Sequence, residues 1–344
     1  VTISDIAKSA GVSKTAVSFA FNMPGRLSKE TTQHILEVAK RMGYTPNPIA
    51  RSLNTRRTNS LGVLIPQDIP IVMSNPFFAE LLSGIGDVCK QEGFSLMIVP
   101  PMRGSLLDAT YGALVDGCIV TGLSADDQVV RALIQRRIPF VMIDTDAPAH
   151  IASVNVKDFD GAKLAMQHVL QHGHRHIAIV SFNSFTRNIK DYTGTLRKRI
   201  DGYSAALGEH NLTLDSPGIH VIESECSEAG GRDAFDRMMK LEPRPTAVLA
   251  LSDIIAWGVI EAARENKMHV PNDLAVVGFD DLLASRLISP ALTTVRQPTI
   301  EKGKRAAQLF IQILRCETPT TEAEKVLLPV ELIVRASSAT PVKP

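Results

Sequence analysis

The sequence predicts an N-terminal all-α helix-turn-helix head joined to a doubly wound α/β body. Three observations predict it. Positive charge gathers at one end, helical apolar spacing with capping residues fills the first forty-five positions, and near-continuous apolar runs alternate with helical patterns from residue 60 onward. At 344 residues, with 44% hydrophobic and 21% charged positions, the chain can bury a sizeable core and divide into two or more domains. The net charge of +1 conceals an asymmetry: residues 1–60 carry nine Lys or Arg against three Asp or Glu, a net +6, which leaves −5 for the remainder. A basic segment on a mildly acidic body suits a polyanionic partner, because neutralising phosphates releases counterions.

In the head, Thr2 is an N-cap with Asp5 three residues on, and Ile3, Ile6, Ala7 and Ala10 share one helical face. Gly11 permits a sharp turn, Val12 anchors it, and Ser13 caps a second helix, KTAVSFAFN, in which Val17 turns inward. A third helix follows Ser28 and ends at Gly43, with Ile35, Val38, Ala39 and Met42 facing in. The pattern alone also fits a three-helix bundle with no ligand. Ser13, Lys14 and Thr15 favour the DNA-binding reading, since small or basic donors sit at a helix start whose free N–H groups attract phosphate.

The stretch YTPNPIARSLNTRR, residues 44–57, cannot continue the third helix through Pro46 and Pro48, but it can begin a short new one. One or two turns are unstable alone in water, so this segment needs a surface to fold against. Leu53 among arginines suits a minor-groove wedge that enters a base step while neighbouring cations meet phosphates. The competing reading makes Leu53 a core residue of the body.

From residue 60, SLGVLIP, SLMIVPP, GCIVTG, FVMID, HIAIVS, AVLALS and LAVVGFDD read as parallel strands covered on both faces. Ligands of such sheets bind at the carboxyl ends of the strands, which directs attention to Asp144, Ser181, Ser252, Asp253, Asp280 and Asp281. Carboxylates and hydroxyls in a dry cleft accept hydrogen bonds from a polyol or glycoside.

VTISDIAKSAGVSKTAVSFAFN and GYTPNPIARSLNTRRTNSLGVLIP resemble the headpiece, hinge helix and first core strand of the LacI/GalR family of bacterial transcription regulators, and the resemblance continues to about residue 340. It implies a head at 1–45, a hinge helix and linker at 46–59, and a periplasmic-binding-protein-like effector-binding and dimerisation core at 60–340. Within the core it implies an N-subdomain of about 60–153 and 292–318, and a C-subdomain of about 154–291 and 319–340. Lys14 and Thr15 then occupy base-reading positions, Ser13 and Ser18 contact phosphate, Asn47, Ala50 and Arg51 face DNA from the hinge, and Leu53 intercalates. Phe19 stands where the family more often has a polar or basic reader and either contacts a thymine methyl or packs inside the head. Asn54 replaces an occasional lysine. In the core the resemblance implies Phe77 and Phe78 as a cleft wall and Arg199 and Asp280 as effector-gripping groups, with Asp144, Ser252 and Asp253 facing the same space. Glu225 falls where many members carry a stacking aromatic, and the loop SFNSFTRNIKDYTGT is longer than usual, leaving Arg187 without a firm place.

The expected function is that of a cytoplasmic, homodimeric, DNA-binding regulator, a repressor that grips a pseudo-palindromic double-stranded DNA operator and answers to a carbohydrate or related small-molecule effector. No catalytic residue, cofactor or metal is assigned. His168, His172, His174 and His176 are close in sequence, but a helix end at Gly173 should make their rings diverge. SGIGDV lacks the third glycine of a dinucleotide loop, and adjacent Asp280 and Asp281 should point apart, against a glycosidase pair. Trp257 is either a stacking platform or a packing residue. Cys89, Cys118, Cys226 and Cys316 lie far apart without a CxxC, and no bilayer-length apolar run or signal peptide is visible. Two rival classes share parts of this pattern. A sugar-transport receptor would have the body but no use for the head, and an enzyme fused to a DNA-binding head would reveal itself by turnover.

Overall fold

The computed structural model describes residues 1–45, 52, 57–183, 189–316 and 323–338. They form two compact units, Val1–Ser60 with Leu114–Asp116, and the rest of the chain.

In the first unit, α1 (Ile3–Ala10), α2 (Lys14–Asn22), a 3-10 turn (Pro24–Arg26) and α3 (Lys29–Arg41) enclose a small core of Ile6, Ala7, Val17, Ala20, Ile35, Val38 and Ala39. Each helix starts at the cap the sequence predicts: Thr2 and Asp5 form a reciprocal capping box, Ser13 Oγ accepts from Ala16 N, and Ser28 Oγ accepts from Thr31 N. Gly11 closes α1 at φ 65°, a left-handed conformation that other residues adopt at a cost. Within the same unit, Asp116 accepts hydrogen bonds from Thr58 N, Thr58 Oγ1 and Asn59 N at 2.6, 2.8 and 3.0 Å.

In the second unit, β1 (Ser60–Leu64), β2 (Ser95–Val99), β3 (Gly117–Thr121), β4 (Phe140–Ile143), β5 (Ser153–Val156) and β11 (Lys325–Leu328) make one sheet, ordered β11-β5-β4-β3-β1-β2. The second sheet holds β6 (Ile177–Phe182), β7 (Ile219–Ser224), β8 (Ala247–Ala250), β9 (Ala275–Asp280), β10 (Thr293–Arg296) and β12 (Glu331–Ile333), ordered β12-β10-β9-β8-β6-β7. Helices α4 (Ile69–Ser74), α5 (Pro76–Glu92), α6 (Leu106–Gly112), α7 (Gln128–Gln135) and α12 (Thr299–Arg315) belong with the first sheet. Helices α8 (Asp158–Gln171), α9 (Gly194–Gly208), α10 (Glu228–Met238) and α11 (Asp253–Glu265) cover the second. The central pairs are parallel, whereas β10 and β12 run antiparallel. The doubly wound architecture follows from strands that are buried on both faces, as β3, β8 and β9 are at every position.

The subdomain boundaries differ from those the resemblance implies. Sheet pairing places β5 in the first sheet, moves β10 into the second, and returns β11 to the first. The chain therefore changes sheets at Lys157–Asp158, Gln297–Pro298 and Pro329–Val330, not at 153/154, 291/292 and 318/319. A second correction concerns the histidines. The rings of His168 and His172 do not diverge, and their centroids are 4.4 Å apart. Their nitrogens serve local packing: His168 Nε2 meets Ser338 Oγ at 2.8 Å, His172 Nδ1 meets the His168 carbonyl at 2.8 Å, and His174 Nδ1 meets Thr246 Oγ1 at 2.9 Å.

Burial, reinforced by His172, pushes His168 and His174 down to about 4, so both rings stay neutral in the folded protein. A depressed folded pKa means that the unfolded chain takes up protons first, so stability is lost as pH falls from about 6.5 towards 4, by up to about 3 kcal/mol per ring. Urea unfolding at pH 7 and pH 5 should show a smaller loss in His174→Gln than in the unaltered chain. Equal losses would contradict this assignment.

Candidate functional site

The head presents Ser13, Lys14 and Thr15 exposed at the start of α2, because Val17 and Ala20 take the inward face. Ser18 is half-buried and accepts a weak hydrogen bond from Asn22 Nδ2 at 3.5 Å. Phe19 is also half-buried, with the Arg26 guanidinium 5.5 Å from its ring centroid. Asn47, Ala50, Arg51, Leu53 and Asn54, like Arg187, lie outside the described residues.

In the body, strand ends from both sheets bring a polar cluster together. Asp144, just after β4 and in a left-handed conformation at φ 58°, binds Lys302 Nζ through both carboxylate oxygens at 2.8 Å. The same ammonium donates to Gln297 Oε1 at 2.8 Å, and its third neighbour is the Phe77 ring, 4.8 Å away. With Oε1 engaged, the Gln297 amide nitrogen is the group that donates to Asp280 Oδ1, at 2.5 Å. Ser252 Oγ donates to the other Asp280 oxygen at 2.8 Å. A continuous hydrogen-bonded path thus runs from the first sheet at Asp144 to the second at Asp280 and Ser252.

Arg199, on α9, is fully buried beside this path. Its Nε donates to Asp158 Oδ1 at 2.8 Å, one terminal nitrogen reaches the Leu251 carbonyl, and the guanidinium lies 3.4 Å from the Phe279 ring centroid. Burial works against the charge on Arg199, but Asp158 and Asp280 overcome it and hold the arginine ionised. Asp158 Oδ2 is buried without a hydrogen-bond partner. Burial raises the pKa of Asp158, with Arg199 opposing.

Asp253 is present but faces a different way. Its oxygens accept from Thr294 Oγ1, Ser285 Oγ and Leu282 N at 2.5, 2.5 and 3.0 Å, so it braces β10 and the turn after β9 against the start of α11. Gly278 leaves it room, since a Cβ there would stand 2.3 Å from Asp253 Oδ1. Burial, then the charge of Asp280, pushes Asp253 up to about 7. Asp281 turns away to Arg286, Arg296 and Arg335; burial opposes its charge, and the arginines hold its pKa below the usual carboxylate range.

Of the wall residues, Phe77 is half-buried and touches Lys302, while Phe78 packs edge-on against it and into the first sheet's core. Glu225 is exposed. Its neighbour Cys226 is the residue turned inward, 3.8 Å from Asn75 Nδ2, and burial pushes its thiol up to about 12. Trp257 donates to Ser285 Oγ at 3.3 Å and borders a surface hollow of about 430 Å³ with Ser74, Ser227 and Ile254. Among the described residues no three His, Cys, Asp or Glu are placed to hold a metal ion, and no helix is long and apolar enough to cross a membrane.

Sequence reasoning missed Lys302, Gln297, Asp158 and Cys226. A signal for Lys302 existed: Thr299, Lys302, Gly303, Ala306 and Phe310 share the buried stripe of α12, so the lysine stands where an apolar residue is expected.

Because Asp158 and Arg199 are paired out of water, removing one leaves the other uncompensated. Arg199→Ala should cost about 3–5 kcal/mol in unfolding free energy, whereas exposed Arg237→Ala should cost less than about 1 kcal/mol, both measured by urea denaturation. Equal costs would show that the buried pair carries no special weight.

The chain matches the description "Bacterial regulatory proteins, lacI family" over residues 2–47 and "Periplasmic binding protein-like domain" over 166–338. It is 32% identical over 347 residues to the HTH-type transcriptional regulator DegA of Bacillus subtilis, covering 98% of each chain. To the HTH-type transcriptional repressor PurR of Haemophilus influenzae it is 29% identical over 343 residues, again with 98% of each covered. Among solved structures, the transcriptional regulator CelR–cellobiose complex aligns with a TM-score of 0.72 at 26% identity, over 98% of this chain and 99% of that one. A capped three-helix head and a two-sheet body with polar groups converging from both sheets thus occur together with these likenesses, and the chain belongs to the lacI family of bacterial regulatory proteins.

Proposed function

We propose that the chain is a homodimeric transcriptional repressor whose affinity for a pseudo-palindromic operator is controlled by a small molecule, a sugar or a derivative, bound between the two sheets of the body. The observation that carries this reading is the presence, in one chain, of an exposed donor-rich helix start at Ser13, Lys14 and Thr15 and a buried polar path from Asp144 to Asp280. The first can do little but meet an external partner, and the second lies where parallel sheets hold their ligands. The repressor PurR and the CelR–cellobiose complex support the same two halves of the reading by their similarity.

In this account Lys14 and Thr15 read base edges, Ser13 and Ser18 fix the head on phosphates, and Phe19 borders the groove. The hinge adds Asn47, Ala50, Arg51 and Asn54 on the DNA, with Leu53 wedged into a central base step. Phe77, Asp144, Arg199, Ser252 and Asp280 surround the effector, with Phe78 and Asp253 supporting them. Glu225 is the least supported member, since Cys226 occupies the inward position. Effector binding shifts the balance between two arrangements of the sheets, and the hinges follow whichever arrangement lets two copies pair.

Leu53→Ala should lose preference for the selected duplex over random DNA in a gel-shift assay while it keeps effector binding. An unchanged preference would remove Leu53 from the DNA interface. Asp280→Ala should abolish the thermal shift that an effector produces in the unaltered protein; a retained shift would place the effector elsewhere.

A further inference from the structure

We propose that Asp116 is a positioning residue for operator recognition: it clamps Thr58 and Asn59, the last residues of the linker, and so fixes the direction in which the segment before them leaves for the duplex. The inference rests on the regulator reading above and adds to it a residue that acts through the linker, not on the DNA itself.

Asp116 Oδ1 accepts from Thr58 N and Thr58 Oγ1 at 2.6 and 2.8 Å, and Oδ2 accepts from Asn59 N at 3.0 Å. Asp116 N in turn donates to the Ser60 carbonyl at 2.8 Å. Four hydrogen bonds thus tie three consecutive residues, 58–60, to a single residue 58 positions from Thr58 in the chain. The linker turns here, since Asn59 stands at φ 50°, a left-handed conformation that asparagine enters more readily than most side chains. Leu114–Asp116 accordingly belong to the compact unit of Val1–Ser60, far from their neighbours in sequence.

A carboxylate suits this position. Two successive N–H groups and a hydroxyl need two acceptor oxygens, whereas an asparagine would offer one and turn a donor towards Asn59 N. The ionised group also strengthens each bond. Its charge has a cost. Residues 1–60 carry nine Lys or Arg against three Asp or Glu, and a further carboxylate beside a segment that meets phosphate weakens the attraction. What the carboxylate holds accounts for its presence there.

The effect falls on specificity. A hinge of one or two turns becomes ordered only against the duplex, so the freedom it loses subtracts from operator affinity. A foot fixed beforehand leaves less freedom to lose and narrows the directions the segment can take. Binding to random DNA rests on phosphate contacts and needs no ordered hinge, so Asp116 supports the selected site over random duplex and leaves random binding alone.

Competition gel shifts with the full-length chain test this, comparing affinity for the duplex that the unaltered chain selects with affinity for random DNA. Asp116→Asn and Asp116→Ala should lower that ratio about ten-fold or more, with random-DNA affinity held within about two-fold. Thr58→Val keeps the shape without the hydroxyl and should lower the ratio about three-fold or more, while Thr58→Ser should keep it within about two-fold of the unaltered chain. A ratio unchanged in the Asp116 variants, or a fall matched by an equal loss on random DNA, overturns the proposal. Should the Asp116 variants not fold, the pair Thr58→Val and Thr58→Ser decides, and equal ratios for the two overturn it. An unaltered chain that selects no duplex sinks the regulator reading and this inference with it; one that selects a duplex indifferently to Asp116 and Thr58 sinks this inference alone.

Discussion

A single buried ammonium ties the carboxyl ends of central strands in the two sheets. Lys302, with no measurable exposure, holds Asp144 on one sheet and Gln297 on the passage to the other, and Gln297 in turn fixes Asp280. Two of the three sheet-to-sheet passages contribute directly to this cluster, Asp158 through Arg199 and Gln297 through Lys302. A change in the angle between the sheets must therefore rearrange these groups. That links local hydrogen bonding to global shape without any assumption about a distant pathway.

Such a cluster is a poor way to gain stability. Desolvating several charges costs more than most of their mutual attraction returns, and well-packed apolar residues would serve as well or better. Backbone strain gathers at the same place: Asp144, Asp280 and Asp281 hold φ values of 58°, 137° and 57°, in the region that side chains other than glycine avoid. Apolar contacts on both faces of each sheet supply the stability that tolerates this concentration of charge and strain. The head has a separate core of seven small and medium apolar residues, and its helices depend on well-formed caps as much as on burial.

Much of this was legible in the sequence because it rests on local rules. Thr2, Ser13 and Ser28 are caps by residue type and spacing, and the apolar runs at GCIVTG, AVLALS and LAVVGFDD are strands because they are buried on both sides. The strands β5, β7, β10, β11 and β12 were not anticipated. They carry polar residues such as Asn155, His220 and Arg296 and include edge strands with one neighbour, so no continuous apolar signal marks them. The polar cluster was legible only where it is built from strand ends. Asp144, Ser252 and Asp280 follow apolar runs, whereas Asp158 and Gln297 lie on the sheet-to-sheet passages and Lys302 sits on a helix among Glu301, Lys304 and Arg305, where it resembles an ordinary solvated charge. Glu225 lies in the turn between β7 and α10 and is exposed, and residue type alone does not decide which of two neighbours in a turn points inward.

The central claim is that a molecule built around a ligand cleft is also a reader of symmetric DNA. Selection of full-length protein against a random duplex pool at near-physiological salt, followed by sequencing, tests it most directly. The account predicts enrichment of one two-fold-symmetric site with its half-sites read by the start of α2. Recovery of a pool no different from the input, with or without added sugars, would contradict it.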